Sequence, residues 1–156
     1  MNERTLILLK PDGVAQGLEP LVTFEVCRLL GLRITDRRKM RLDAAIVTEH
    51  YAHHAGKPFF PGLLEYMTRG PVIAMIVEGD DALGKIREWV GVTDPTKAAP
   101  DSLRGRYGKK LPDGRILNVI HASEKSEDAE AEIKRFFRPR ENWFARLLRF
   151  FSPKAV

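Results

Sequence analysis

The sequence predicts an α+β fold in which one antiparallel sheet carries helices on one face. Three observations predict it. The chain has 156 residues, a length that suits one hydrophobic core, since two folded domains usually need roughly 200 or more. Strand-length apolar runs and helix-period segments follow one another in the order β-α-β-(αα)-β-α-β-α. One run, PVIAMIV at residues 71–77, is apolar without a break, as expected for a central strand buried on both faces.

Taken in order, residues 5–9 (TLILL) are a short, partly β-branched apolar run, stopped by the turn signal Lys10-Pro11-Asp12-Gly13. Residues 17–30 place Leu18, Leu21, Val22, Val26, Leu29 and Leu30 at helical spacing, with Gly31 as the stop. Cys27 lies in that helix and reads as core or flank. From Leu32 to Leu42, apolar Leu32, Ile34, Met40 and Leu42 stand against Arg33, Arg37, Lys39 and Arg41, a strand with a solvated basic face. Asp43 caps a helix through about His54, and residues 58–68 form a second short helix before Gly70. After the central strand comes a helix over 80–90, ended by Gly91. Residues 93–113 shift to Pro, Gly, Lys and Asp, a long irregular loop of the kind kept for function. A last strand is expected over 116–120 and a Glu- and Ala-rich helix over 126–137. Two βαβ units sharing a sheet give the ferredoxin-like plan βαββαβ, with an extra C-terminal helix. One domain is expected over residues 1–137, followed by a basic amphipathic tail over 138–156.

Composition narrows the function classes. Hydrophobic residues make up 44% and charged residues 30%, ordinary for a globular chain and unlike disordered or repeat proteins. No apolar run nears the ~20 residues that cross a bilayer, and the start lacks the regions of a signal peptide. A single cysteine forms no internal disulfide, so a cytoplasmic location is expected. The net charge of +5 invites a nucleic-acid reading until it is partitioned. Residues 1–133 hold 19 Lys and Arg against 20 Asp and Glu, and residues 134–156 hold seven basic residues against one acid. The whole excess sits in the tail, and the main body is slightly acidic.

Two motifs are decoys. Gly79-Asp80-Asp81-Ala82-Leu83-Gly84-Lys85-Ile86 matches most of a P-loop, but Ile86 has no hydroxyl for Mg²⁺ and two aspartates sit where phosphates belong. His50 and His54 are one helical turn apart, yet Tyr51 occupies the glutamate position of HExxH. By themselves they read as surface or pocket histidines, not as metal ligands. The third signal is Asn118-Val119-Ile120-His121-Ala122-Ser123-Glu124, at the end of an expected strand. A histidine there is either a satisfied core residue or a functional one. Lys10, Arg87, Thr93 and Arg104 all fall at element ends that this fold can bring near it, which favours the second. An imidazole ringed by cations suits attack on an anionic phosphoryl group, whose transition state spreads negative charge.

Here the chain resembles a family. KPDGV at 10–14, HYAHHAGKPFFPGLLEYMTRGPVIAMIVEG at 50–79, GVTDPTKAAPDSLRG at 91–105 and NVIHAS at 118–123 are similar to nucleoside diphosphate kinases. The likeness runs over roughly residues 4–137 in unbroken order. It implies an enzyme that moves the γ-phosphoryl group of a nucleoside triphosphate to a nucleoside diphosphate. The route is ping-pong, with His121 of the NxxH motif as the nucleophile. Glu132 would orient the imidazole, with Ser123 supporting that carboxylate. Lys10, Tyr51, Arg104 and Asn118 would surround the phosphoryl group and the ribose hydroxyls. His54, Arg87 and Thr93 would hold the α- and β-phosphates, and Phe59 would stack on the base. Mg²⁺ would arrive with the nucleotide. Stacking without base-edge contacts implies broad acceptance of bases, and the likeness also implies a homo-oligomer, hexamer or tetramer.

The sequence departs from the family pattern in four places. Ala122 and Glu124 replace the usual Gly and Asp, the segment 105–117 is a few residues longer, and Arg106 stands where Asp is common. The tail has no family counterpart. In it Trp143, Phe144, Leu147, Leu148, Phe150 and Phe151 fall within an arc of about 160° of a helix. That arc reads as a clasp on a neighbouring subunit, with a peripheral anchor on anionic lipid as the alternative. The competing reading of the whole chain is a non-catalytic interaction or membrane-surface-binding protein on the same fold. The intact set of site residues argues against it. A nucleic-acid module is weaker still, because the last strand has no aromatic pair for stacking bases.

Overall fold

The computed structural model describes residues 2–138. The amphipathic helix expected in the tail lies outside them. The strands β1 (Asn2–Leu9), β2 (Arg33–Arg41), β3 (Pro71–Asp80) and β6 (Ile120–Ala122) make one sheet in the order β2-β3-β1-β6. All three pairings are antiparallel, as the ferredoxin-like plan requires. The central strands β1 and β3 carry the longest apolar runs because they are covered on both sides along their length.

Alternation along β1 sorts the core into two layers. Ile7 and Leu9 face α2 (Glu19–Phe24) and α5 (Ala82–Val90), in a cluster with Val22, Val26, Met75 and Ile86. Leu6 and Leu8 face the other way, with Val47, Tyr51, Met67, Ile133 and Phe136. These come from α3 (Ala44–His50), α4 (Phe60–Thr68), α7 (Ser126–Phe136) and the turn after α3. The two crossover helices, α2 and α5, thus share one face as expected. The opposite face is not open, because α3, α4 and α7 close it. Two-sided cover is the physical reason that PVIAMIV can be apolar throughout.

Local rules explain the helix ends. The Asp43 carboxylate accepts from Ile46 N at 2.9 Å and caps α3. Acids Glu127 and Asp128 start α7 and bases Lys134 and Arg135 end it, matching the helix dipole. After α2 the chain widens into a π-helical turn over Glu25–Leu29, which rotates the apolar stripe. Leu29, expected on the buried face, is therefore 66% exposed. Cys27 is exposed on the same flank. Between Asp80 and Ala82 the near-P-loop is an ordinary strand-to-helix turn, with Asp81 at φ 52°.

Two expectations at the C-terminal half need correction. The segment 93–113 is not wholly irregular, for it contains the short helix α6 (Leu103–Tyr107) and β4 (Lys109–Lys110). Ser102 caps α6, its hydroxyl accepting from Gly105 N at 3.2 Å, a start signal too short for helical periodicity to reveal. The strand expected over 116–120 is two pieces. β5 (Ile116–Leu117) pairs with β4 as a small hairpin, and β6 joins the main sheet. The break falls at Val119, whose φ is 58°.

Candidate active site

The break at Val119 aims the residues around it. Ile120 N donates to Asn118 O at 2.7 Å across Val119, a γ-turn with a positive central φ, rare and strained for a β-branched residue. Such strain, of order 1–3 kcal/mol, persists only where the surroundings impose it. Val119 N donates to Asp12 Oδ2 at 3.1 Å, and Lys10 N donates to Val119 O at 2.8 Å. Asp12 is itself buried, and its other oxygen accepts from the Tyr66 hydroxyl. The short helix α1 (Pro11–Ala15), which stands where KPDG reads as a turn, fits beneath because Gly13 has no side chain. A Cβ there would lie 2.6 Å from Val119 O.

Beyond the γ-turn, β6 pairs with β1 so that His121 stands opposite Leu8. Directly opposed residues share a face, so His121 joins the layer built by α3 and α7. Its Nε2 lies 2.9 Å from Glu132 Oε1, and the Ser123 hydroxyl donates to Glu132 Oε2 at 2.6 Å. Ser123 is held by β1 in turn, accepting from Leu6 N at 3.2 Å. An ionised carboxylate only accepts, so Nε2 carries the proton and the lone pair of the neutral ring lies on Nδ1. Burial pushes the Glu132 carboxyl up, but the bond and charge of His121, the Ser123 hydroxyl and Arg135 outweigh it and hold it below its ordinary value. Ala122 follows with no positive φ among the described residues, so its methyl group is accommodated where the family has glycine.

Cations converge on the same end of the sheet. Lys10 Nζ donates to Asn118 Oδ1 at 2.7 Å, and Asn118 Nδ2 donates to Thr93 O at 3.0 Å. Lys10 is buried, and desolvation, aided by the Arg104 charge, lowers its ammonium to about 7. Arg104 Nη1 and Nη2 donate to Gly91 O and Ile120 O, each at 2.9 Å. Its Nε is buried without a hydrogen-bond partner among the described residues, and burial lowers the guanidinium to about 10. Its neighbour Gly105 allows α6 to press on Ala99, whose carbonyl oxygen would lie 2.1 Å from a Cβ. Arg87 is exposed beside Glu124, Nη2 to Oε1 3.8 Å. Tyr51 is buried edge-on to His121 at 6.4 Å between ring centres, and burial raises its hydroxyl. Outside Tyr51, His54 follows at 6.1 Å and the half-exposed Phe59 lies 5.2 Å further on.

All the sequence-predicted site residues therefore lie at one end of the sheet. Sequence reasoning missed Asp12, Tyr66, His50 and Arg135. Asp12 sits inside KPDG, where it reads as a turn former. His50 has its ring centre 4.6 Å from that of His121 and is almost wholly buried. No local signal separates it from a surface histidine. Arg106, at its unusual position, is bound to Glu25 through Nη1 and Nη2 at 2.7 and 2.5 Å, and Trp89 donates to the same carboxylate.

Comparison with known proteins accords with this geometry. The family model for nucleoside diphosphate kinase matches residues 3–142. A nucleoside diphosphate kinase of Thermococcus kodakarensis is 46% identical, covering 89% of this chain and 79% of the relative. The chain belongs to the nucleoside diphosphate kinase family. It is a nucleotide-binding phosphotransferase of that activity. The Pyrococcus furiosus enzyme is 43% identical over 92% of this chain and 93% of its own. Among solved structures, the Halobacterium salinarum nucleoside diphosphate kinase in complex with CDP superposes with a TM-score of 0.79. It is 40% identical and covers 89% of this chain and 90% of that one. The Aquifex aeolicus nucleoside diphosphate kinase gives 0.78 at 36% identity, covering 88% and 96%.

Proposed function

We propose that the kinase works through a phosphohistidine at His121. The observation that carries this reading is the Nε2 bond to Glu132, which leaves Nδ1 as the nucleophile. In the first half-reaction Nδ1 bonds to the γ-phosphorus, the bond to the bridging oxygen breaks, and the diphosphate leaves with that electron pair. A second diphosphate reverses the step with its own terminal oxygen. As positive charge builds on the ring, Glu132 stabilises it. Lys10, Arg104, Asn118 and Tyr51 take the transferring group and ribose, while His54, Arg87 and Thr93 take the α- and β-phosphates. Phe59, 53% exposed, offers a face for any base.

Mg²⁺ asks for an octahedron of oxygens. Among the described residues one cluster of three potential ligands, His50, His121 and Glu132, falls within 4.8 Å, two imidazoles and a carboxylate unsuited to that ion. The nucleotide's own phosphate oxygens would hold it, with exposed Glu124 as a nearby acid. Bound there, the ion would neutralise phosphate charge. A homo-oligomer, hexamer or tetramer, a cytoplasmic location, and a catalytic domain over 1–137 followed by a tail that clasps a neighbouring subunit complete the proposal. No helix among the described residues is long and apolar enough to cross a membrane.

Incubation with γ-labelled ATP tests the carrier. The label should stay through alkali and be lost in acid, as for a phosphoramidate, and His121→Ala should abolish both labelling and transfer. Wild-type transfer by that variant would overturn the reading.

A further inference from the structure

Behind the His121–Glu132 pair lies a charge that phosphoryl transfer, as described, leaves without a task. Arg135 follows Glu132 by one turn of α7, with its side chain only 15% exposed. Its Nε donates to Glu49 Oε1 at 3.0 Å and its Nη1 reaches His50 Nδ1 at 3.4 Å. Glu49 and His50 are the last two residues of α3, so Arg135 ties the two helices together just behind the site. His50 in turn stands edge-on to His121, with Nδ1 3.9 Å from Glu132 Oε1.

A guanidinium only donates, so His50 Nδ1 accepts and the ring's proton sits on Nε2. That nitrogen is buried with no hydrogen-bond partner among the described residues. Cores rarely keep such a group, and a phenyl ring would fill much the same space. The imidazole is thus better matched to Arg135 than to its own packing.

We propose that Arg135, clamped by Glu49, is a positioning residue for phosphoryl transfer: it fixes His50 as a neutral buttress against His121 and leaves the ionised Glu132 to His121. The proposal rests on His121 being the phosphoryl carrier. Glu132 is faced by His121 and Ser123 from β6 and the residue after it, by His50 and Tyr51 from the end of α3, and by Arg135 on its own helix. His50 is faced by His121, Arg135, Lys10, His53 and Glu132. Burial, reinforced by His121 and Arg135, keeps His50 neutral down to about 2. Without Arg135, Glu132 takes up a proton at higher pH and His50 charges more readily, a cation competing for the same carboxylate. Both effects move the acid limb of the reaction upward.

The test is single-turnover labelling of the full chain by γ-labelled ATP with Mg²⁺, in wild type, Arg135→Met, Arg135→Lys, Glu49→Gln and His121→Ala. The measurement runs from about pH 4 to about pH 9. In Arg135→Met the acid limb should rise by ~0.5–1 pH unit, slowing labelling near pH 4 by about threefold to tenfold while sparing it above about pH 7. Arg135→Lys should restore much of the wild-type limb, and Glu49→Gln should shift it in the same direction by less. Coincident limbs in wild type and Arg135→Met overturn the proposal, as does an equal loss at every pH that lysine does not restore. If Arg135→Met fails to fold, an unshifted limb in Glu49→Gln overturns it equally. A wild-type protein with no label on His121 refutes the carrier reading instead, so the two failures are distinct.

Discussion

Glutamine in place of Glu132 separates the charge of the orienting group from its geometry. Glu132 Oε1 serves His121 Nε2 at 2.9 Å and Oε2 serves the Ser123 hydroxyl at 2.6 Å. A glutamine has one accepting and one donating end. With its oxygen toward His121 and its amide toward Ser123, the serine hydroxyl can turn its proton to Leu6 O, 3.3 Å away. Every group then stays paired and the Nε2–H tautomer survives, so only the charge is lost. Hydrogen bonds to charged groups contribute about 1.5–3 kcal/mol against about 0.5–1.5 for neutral ones. The difference, ~1–1.5 kcal/mol, slows phosphorylation of His121 about tenfold. Glu132→Ala removes the acceptor as well, frees the proton to sit on Nδ1, and should slow the step by roughly 10- to 100-fold. The assay is rapid-quench labelling at about pH 8, where the carboxylate is ionised in every variant that has one. Urea unfolding of each variant controls for folding. Labelling by Glu132→Ala within about twofold of wild type, or a glutamine variant slower than the alanine one, would refute the reasoning.

Three further outcomes follow from the same structure. Asp12→Ala strips the acceptor from the buried Val119 N–H and the Tyr66 hydroxyl. Urea unfolding should show about 2–4 kcal/mol of lost stability, and a loss below about 1 kcal/mol would contradict the role given to Asp12 in holding the γ-turn. Lys10 is lowered from 10.5 to about 7 in the folded protein. Between those values the unfolded chain holds a proton that the folded one lacks, so this residue makes stability rise with pH across that window, and its cost is at its full value once pH falls below about 7. Nucleotide phosphates restore the charge, so calorimetry at about pH 8 in buffers of different ionisation enthalpy should show proton uptake on binding, absent in Lys10→Met. Deleting residues 140–156 should leave labelling of His121 in place, since all the predicted site residues precede the cut. The truncated protein should elute smaller or dissociate on dilution if the tail is a clasp. Unchanged assembly with lost binding to anionic vesicles would point to the lipid anchor instead.

Much of the fold was legible because it is encoded locally. Alternation and helical spacing marked β1, β2, β3, α5 and α7, and Asp43 marked the start of α3. The misreadings fell where local signals are short or contradictory. A five-residue α6 has no periodicity to show, and the stretch Ile116–Ile120, apolar but for Asn118, hid a strand break at a residue whose β-branched type argues for extended backbone. Groups distant in sequence, the Asp12 carboxylate and the Lys10 N–H, hold Val119 in its turn. The motifs KPDGV, NVIHAS and HYAHHAGKPFF likewise pointed to the residues of the candidate site without saying how they meet.

Local sequence specifies which side chains are available: one histidine in the NxxH pattern, cations able to pair with phosphates, and strands to carry them. Tertiary structure alone decided what each does. Pairing of β6 with β1 put His121 in the layer of α3 and α7. That layer set Glu132 against His121 Nε2, leaving the ring's lone pair on Nδ1, and buried His50 against the same ring. Burial among other cations brought Lys10 to the edge of neutrality. The physical reason is range. Side-chain alternation and turn chemistry are settled between neighbours along the chain. Tautomer, desolvation and strain are settled between groups such as Lys10 and Asn118, 108 residues apart in sequence and 2.7 Å apart in space.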